Sequence, residues 1–127
     1  MFPENIFAAL EAIDPTWLCF ALVFILFDVI TGICKGASTH TLSSQIMREG
    51  FWHKLAVILA LCIAACIDAA AGAGLDLGFE VPVFEAVCGY VMVMELLSIL
   101  ENISVINPEL AGSAIFKLLT PPKEGEE

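Results

Sequence analysis

The sequence predicts an all-α membrane protein with three transmembrane helices and an amphipathic helix near each end. Three observations support this fold class. Apolar residues make up 59% of the 127-residue chain, the mean hydropathy is +0.89, and the apolar residues form three runs of membrane-spanning length. A chain this short has too little polar surface to cover three such runs in water. We therefore expect a single membrane domain over residues 1–127.

The predicted spans are residues 17–35, 55–73 and 83–103. At about 1.5 Å per residue, each is long enough for a hydrocarbon core of about 30 Å. Each span also contains an acid, namely Asp28, Asp68 and Glu95. In the second and third spans, a central acid at about 3 kcal/mol on the insertion scale offsets most of the apolar gain. We therefore expect the three helices to stabilise one another.

The flanking segments are expected to lie at the membrane surface. Apolar residues recur at helical spacing over residues 2–13, which predicts an interfacial helix on the outer side. A second amphipathic helix is predicted over residues 109–119, because Pro108 can begin it and Pro121 ends it. Residues 120–127 are expected to form an acidic tail, and the glycines over residues 72–78 a flexible outer loop.

Basic residues predict the orientation. Lys35, Arg48 and Lys54 all lie between the first and second spans, which places that loop in the cytoplasm, the N-terminus outside and the C-terminus inside. Trp52, His53 and Lys54 are expected to form an aromatic and basic belt at the cytoplasmic interface. Residues 1–13 contain no basic residue, so no cleaved signal peptide is expected.

Composition and motifs argue against several functional classes. The net charge of −10 excludes a nucleic-acid-binding surface. The sequence contains no phosphate-binding loop, no nucleophile motif and no metal-ligand spacing, so we expect no enzyme activity, no cofactor and no metal. The cysteines fall within apolar runs and are expected to be small buried residues: Cys19, Cys34, Cys62, Cys66 and Cys88.

Ionisable residues at membrane depth are candidate functional residues, because they persist only where they face water or a partner. On the first span, Asp28 and Lys35 lie on one side, and Gly32 and Gly36 form a GxxxG motif for close helix approach. A simpler explanation is also open, in which Asp28 pairs with Lys35 or with a backbone donor.

The second and third spans carry two further patterns. Small or acidic residues recur every four positions on the second span, and this pattern predicts a packing face within the chain or between copies: Ala56, Ala60, Ala64, Asp68 and Gly72. The third span places polar groups on one face, with Glu101 about 100° away: Cys88, Glu95, Ser98 and Asn102. That face is either a water-facing lining or an interhelical network, and a protonated Glu95 in a closed bundle is an alternative.

Two blocks of sequence resemble the holins of phage lysis and toxin secretion. The first runs from Asp28 through Gly32 and Lys35 to Ala37, and the second from Glu95 to Asn102. Shorter matches include the Gly50–Lys54 segment, Asp68, Tyr90 and Pro108. The resemblance covers about residues 20–119.

This resemblance implies a multi-pass protein of the bacterial cytoplasmic membrane that oligomerises with itself and opens lesions to release an endolysin or a toxin. Two alternatives remain, a small ion or solute channel or transporter, and a passive membrane scaffold. In the holin hypothesis, the candidate residues for contacts between copies and for the lesion lining are Asp28, Gly32, Lys35, Gly36, Ala60, Ala64, Asp68, Gly72, Glu95, Ser98, Glu101 and Asn102.

Overall fold

The computed structural model describes residues 2–119, and within them it contains helices but no strands. The helices are α1 (Phe2–Glu11), α2 (Pro15–Ser38), α3 (Ser44–Gly72), α4 (Val83–Ile106), α5 (Pro108–Ala111) and α6 (Ala114–Leu119). Helices α2, α3 and α4 are each long and apolar enough to cross a membrane. The predicted fold class is therefore confirmed, while the orientation across the membrane stays a prediction.

The N-terminal caps explain where the long helices begin. The carboxylate of Asp14 accepts a hydrogen bond from the backbone N–H of Thr16 at 2.9 Å, and the hydroxyl of Ser43 accepts one from the backbone N–H of Ile46 at 3.2 Å. Such caps satisfy N–H groups that have no partner in the first helical turn. Because Ser43 caps α3 well before residue 55, Lys54 lies inside this helix.

Helix α4 packs against both α2 and α3, and its contact with α2 is the most extensive. Ala21 of α2 and Cys88 of α4 are both fully buried, because small side chains allow the two helices to approach closely. The core around them consists of Ile25, Leu61, Ala64, Phe84 and Val91. Large apolar side chains cover the outer surface, as expected where lipid is the solvent: Phe20, Leu26, Phe27, Leu59, Ile63 and Val93.

Helix α1 packs against α3. A Cβ atom added to Gly72 would lie 3.4 Å from the Cβ of Ala9, so the absence of a side chain at Gly72 allows this close contact. The connection from α3 to α4 contains Gly74 and Gly78, whose φ angles of 99° and 75° are positive. Glycine adopts such angles without steric cost.

The prediction of one C-terminal helix over residues 109–119 is wrong. The structure has α5 and α6, separated at Gly112 and Ser113. Ser113 begins α6, because its hydroxyl accepts a hydrogen bond from the backbone N–H of Phe116. This serine satisfies the backbone locally and favours a new helix start over continuation. The predicted acidic tail, residues 120–127, lies outside the described residues.

The prediction that all five cysteines are buried is also wrong. Cys88 is buried, whereas the other four cysteines are exposed on the outer faces of α2 and α3: Cys19, Cys34, Cys62 and Cys66. The physical reason is that a thiol is apolar enough to face lipid as well as protein. An apolar run in a membrane protein therefore does not distinguish the two faces of its helix.

Candidate functional site

The three membrane-length helices meet at a charged cluster. The Lys54 ammonium of α3 forms ion pairs with the carboxylates of Asp28 in α2 and Glu95 in α4. The side chains of Lys54, Asp28 and Glu95 are 16%, 10% and 6% exposed. We call these three residues the Lys54 cluster. Each helix contributes one charged group, so the cluster joins the whole three-helix unit.

Neutral side chains hold the Asp28 carboxylate from the other side. The Asn102 amide donates to Asp28 Oδ1 at 3.2 Å and to Thr31 Oγ1 at 3.1 Å. Ser98 also interacts with the Asp28 carboxylate. A Cβ atom added to Gly32 would lie 3.7 Å from Asn102 Nδ2, so this glycine leaves space for the amide.

The cluster lies near the middle of the helices. Asp28 is 13 residues after Pro15 and 10 before Ser38, and Glu95 is 12 residues after Val83 and 11 before Ile106. At about 1.5 Å per residue, both carboxylates are about 15 to 20 Å from either helix end. In helices that cross the membrane from end to end, this is the depth at which an unpaired charge is most costly.

The chemistry of this arrangement is electrostatic and structural. Ion pairs in a low-dielectric interior do not by themselves guarantee stability, because desolvation opposes their attraction. Removing the Lys54 ammonium would nevertheless be strongly unfavourable, because it would leave both carboxylates buried and unpaired. Within residues 2–119, no group of three or more His, Cys, Asp or Glu side chains lies where it could hold a metal ion.

Asp68 does not join the Lys54 cluster in this structure. Its carboxylate accepts hydrogen bonds from the backbone N–H groups of Val83 at 3.0 Å and Phe84 at 2.8 Å. These are the first residues of α4, where unpaired N–H groups and the helix dipole favour a negative charge. In this conformation, Asp68 therefore caps a neighbouring helix.

The two glycines of the GxxxG motif in α2 contact other parts of the same chain. Gly32 adjoins Asn102, and a Cβ atom added to Gly36 would lie 3.0 Å from Cδ1 of Leu42 in the connection to α3. Both glycines therefore allow close approach of parts of the same chain. Neither glycine is turned towards the lipid-facing surface in this conformation.

The four-residue ladder of α3 is only partly buried. Ala64 is buried, whereas Ala56 and Ala60 are exposed. The reason is geometric, since four residues turn a helix by about 400° and each step therefore rotates the ladder by about 40°. The ladder leaves the face packed inside the chain as it runs back towards Ala56, so only part of it packs within the unit, and contact between copies stays a prediction for Ala56 and Ala60.

Of the alternatives left open for Asp28, pairing with Lys35 is not what the structure has, because the cationic partner of Asp28 is Lys54. Lys35 is half-buried near the end of α2, and its carbonyl accepts hydrogen bonds from the hydroxyls of Ser38 and Thr39. Glu101 is exposed on α4, away from the cluster.

Sequence reasoning missed Lys54 and assigned it to the interfacial belt, which is wrong. Trp52 and His53 of that belt are exposed, but Lys54 points between the helices. A usable signal was present. Lys54, Leu61 and Asp68 are spaced by seven residues, which is two helical turns, and therefore share one face of α3. Because Asp68 was expected to face another helix, the same face should have included Lys54.

Comparisons with known proteins identify the family. The family model for the bacteriophage holin family matches residues 5–118. An uncharacterised protein of Clostridium perfringens (strain 13 / Type A) is 33% identical over 101 residues, which cover 76% of this chain and 70% of that protein. No solved structure matches the chain. With its three membrane-length helices, the chain is a multi-pass membrane protein that belongs to the bacteriophage holin family.

Proposed function

We propose that this protein oligomerises in the bacterial cytoplasmic membrane and opens lesions that release an endolysin or a toxin, without enzymatic activity of its own. Family membership supports this proposal. The observation that carries it is the placement of the Lys54 cluster inside the unit, beneath an outer surface of large apolar side chains. Such a unit is suited to accumulate in lipid with its polar groups covered.

Release of a folded protein requires several copies. A helix with its side chains is about 10 to 12 Å across, so three helices cannot surround a passage of protein size. The proposed contact between copies includes the exposed part of the α3 ladder, Ala56 and Ala60, because small residues allow close helix approach. Rearrangement of each unit would also make Gly32, Gly36, Ala64 and Gly72 available for such contacts.

The polar lining of the proposed lesion forms when the three-helix unit rearranges. In this proposal the polar groups turn towards water as the assembly opens: Asp28, Lys35, Asp68, Glu95, Ser98, Glu101 and Asn102. The membrane potential is a suitable trigger, because moving one charge across 100 mV is worth about 2.3 kcal/mol. Partial movement of a few such charges would shift a balanced equilibrium.

A small ion channel or transporter is the second candidate, because two carboxylates at mid-depth could bind a cation. The Lys54 ammonium counts against it, since the ammonium occupies both carboxylates in this conformation. This candidate predicts saturable, ion-specific flux without release of proteins. A passive scaffold would use the same groups only for interhelical bonding.

The test is controlled expression in a bacterial host, with growth and membrane potential followed together. Parallel cultures carry an endolysin that lacks its own export signal, and controls express the endolysin alone or this protein alone. We expect sudden depolarisation in both cultures that express this protein, and lysis only where the endolysin is present. Depolarisation without enzyme release would favour the channel, and neither effect would favour the scaffold.

A further inference from the structure

The charges of the Lys54 cluster do not balance. One ammonium lies between two carboxylates, and the nearby Asn102, Ser98 and Thr31 are neutral. The formal charge of the cluster is therefore −1. The two carboxylates also repel each other through their like charges, so the surplus charge is unfavourable inside the cluster.

The surplus negative charge makes the closed unit less stable than the same unit would be with a neutral cluster. A charge removed from water costs several kcal/mol unless a partner compensates it. If one carboxyl group instead takes up a proton, that uptake also costs free energy at neutral pH. Whether the surplus charge stays buried or a carboxyl group takes up a proton, a closed unit with one carboxylate fewer would avoid the free-energy cost.

Opening removes this cost, because carboxylates that reach water are solvated. The three members lie on three different helices, so separation of any one helix changes the cluster. Lys54 has the opposite effect to the surplus carboxylate, since it attracts both acids and holds α3 against α2 and α4. The same cluster thus contains one group that favours the closed unit and one that opposes it.

We propose that the surplus carboxylate of the Lys54 cluster makes the closed three-helix unit metastable, and that the net charge of the cluster sets its rate of opening. This proposal rests on the proposed function only in treating opening as the functional event. It assigns opposite roles to side chains in direct contact. Neutralising either acid should slow opening, whereas removing the ammonium should accelerate it.

Cys88 provides a direct measure of opening, because it is fully buried between the helices. The test uses a background in which four cysteines are replaced by serine, so that Cys88 is the cysteine available for labelling. The replaced residues are Cys19, Cys34, Cys62 and Cys66. The full chain is inserted in membrane vesicles, and the labelling rate of Cys88 by a water-soluble maleimide is measured. Glu95→Gln, Asp28→Asn and Lys54→Met are compared with the unsubstituted cluster.

We expect Glu95→Gln and Asp28→Asn to slow the labelling of Cys88 by about tenfold, which corresponds to about 1.4 kcal/mol. Lys54→Met should accelerate it by at least a similar factor, and Lys54→Arg should restore slow labelling. Matched controls make the same chemical changes outside the cluster. Glu49→Gln and Lys117→Met alter exposed residues and should leave the labelling rate unchanged.

Three results would overturn the proposal: equal labelling in Glu95→Gln and the parent, faster labelling in both acid variants, or equal shifts in the controls. If Lys54→Met does not accumulate in the membrane, the labelling rates of Glu95→Gln and Asp28→Asn still test the proposal. Depolarisation timing in cells is measured separately. The expected order of labelling without any depolarisation or release would contradict the proposed function and leave the charge-controlled opening intact.

Discussion

The side-chain amide of Asn102 donates a hydrogen bond to the carboxylate of Asp28, and so joins α4 to α2 inside the three-helix unit. Both residues are buried, with exposed fractions of 5% and 8%. In the hydrocarbon region no water is available to replace this donor. The amide therefore gives the Asp28 carboxylate a second partner, because the Lys54 ammonium is shared between Asp28 and Glu95.

Asn102→Leu should destabilise the unit by about 1 to 2 kcal/mol, the upper range for interhelical hydrogen bonds in membranes. The substitution preserves approximate volume but removes the donor to Asp28. Thermal unfolding in detergent micelles, followed by circular dichroism, measures the change. Asn5→Leu, at an exposed position of α1, is the control. Equal melting temperatures for the two variants would contradict the structural role of Asn102.

Asp68→Ala should loosen the start of α4, because Val83 and Phe84 would lose their shared acceptor. The expected cost is about 0.5 to 2 kcal/mol, as for other N-terminal caps. Hydrogen exchange at these two amides should accelerate. Asp76→Ala is a matched control, since its carboxylate accepts a hydrogen bond from the backbone N–H of Gly78 in the same connection. If both substitutions accelerate exchange at Val83 equally, Asp68 is not the cap.

Gly50→Ala should stabilise the protein by about 1 kcal/mol, because alanine has the higher helix propensity. Gly50 lies within α3, and apart from its own stretch of helix no atom of residues 2–119 is within 4 Å of a Cβ added there. Gly74→Ala should have the opposite sign, since its φ of 99° is unfavourable for an L residue. Melting temperatures in micelles test both. A decrease for Gly50→Ala would mean that another molecule occupies this surface.

Ala60→Phe should reduce oligomer formation, because it places a large ring on the proposed contact between copies. Chemical cross-linking in membranes, resolved by gel electrophoresis, measures the oligomer distribution. Leu59→Phe is the control, since Leu59 is a large residue that is already 54% exposed. Similar cross-linking in both variants would place the contact elsewhere on the surface.

Hydropathy was sufficient to predict three membrane-length helices. A helix that crosses the hydrocarbon core satisfies its own backbone groups, and it needs a long run of apolar side chains to face the lipid. It was insufficient to predict which face of each helix is buried. Lipid and protein interiors are similarly apolar, so exposed Cys62 and buried Cys88 occur in equally apolar surroundings. Short-range signals decided the helix starts, as the Ser43 cap illustrates.

Glu95 and Asn102, which the sequence places on one polar face of α4, are both buried in the structure. Their partners were not predictable from local spacing, because Lys54 and Asp28 are brought to them by the packing of other helices. Lys54 was assigned to the interface from its neighbours Trp52 and His53. Its position two turns before Leu61 was the better guide to its surroundings.

The distribution of the Lys54 cluster over three helices has a consequence for biosynthesis. Asp28 leaves the ribosome first, Lys54 follows with α3, and Glu95 arrives with the last long helix. The first helix therefore enters the membrane with an unmatched carboxylate, which stays unpaired until α3 and α4 have been made. The closed unit is thus expected to form late, when all three helices are present together, and a truncated nascent chain would be a ready substrate for membrane quality-control proteases.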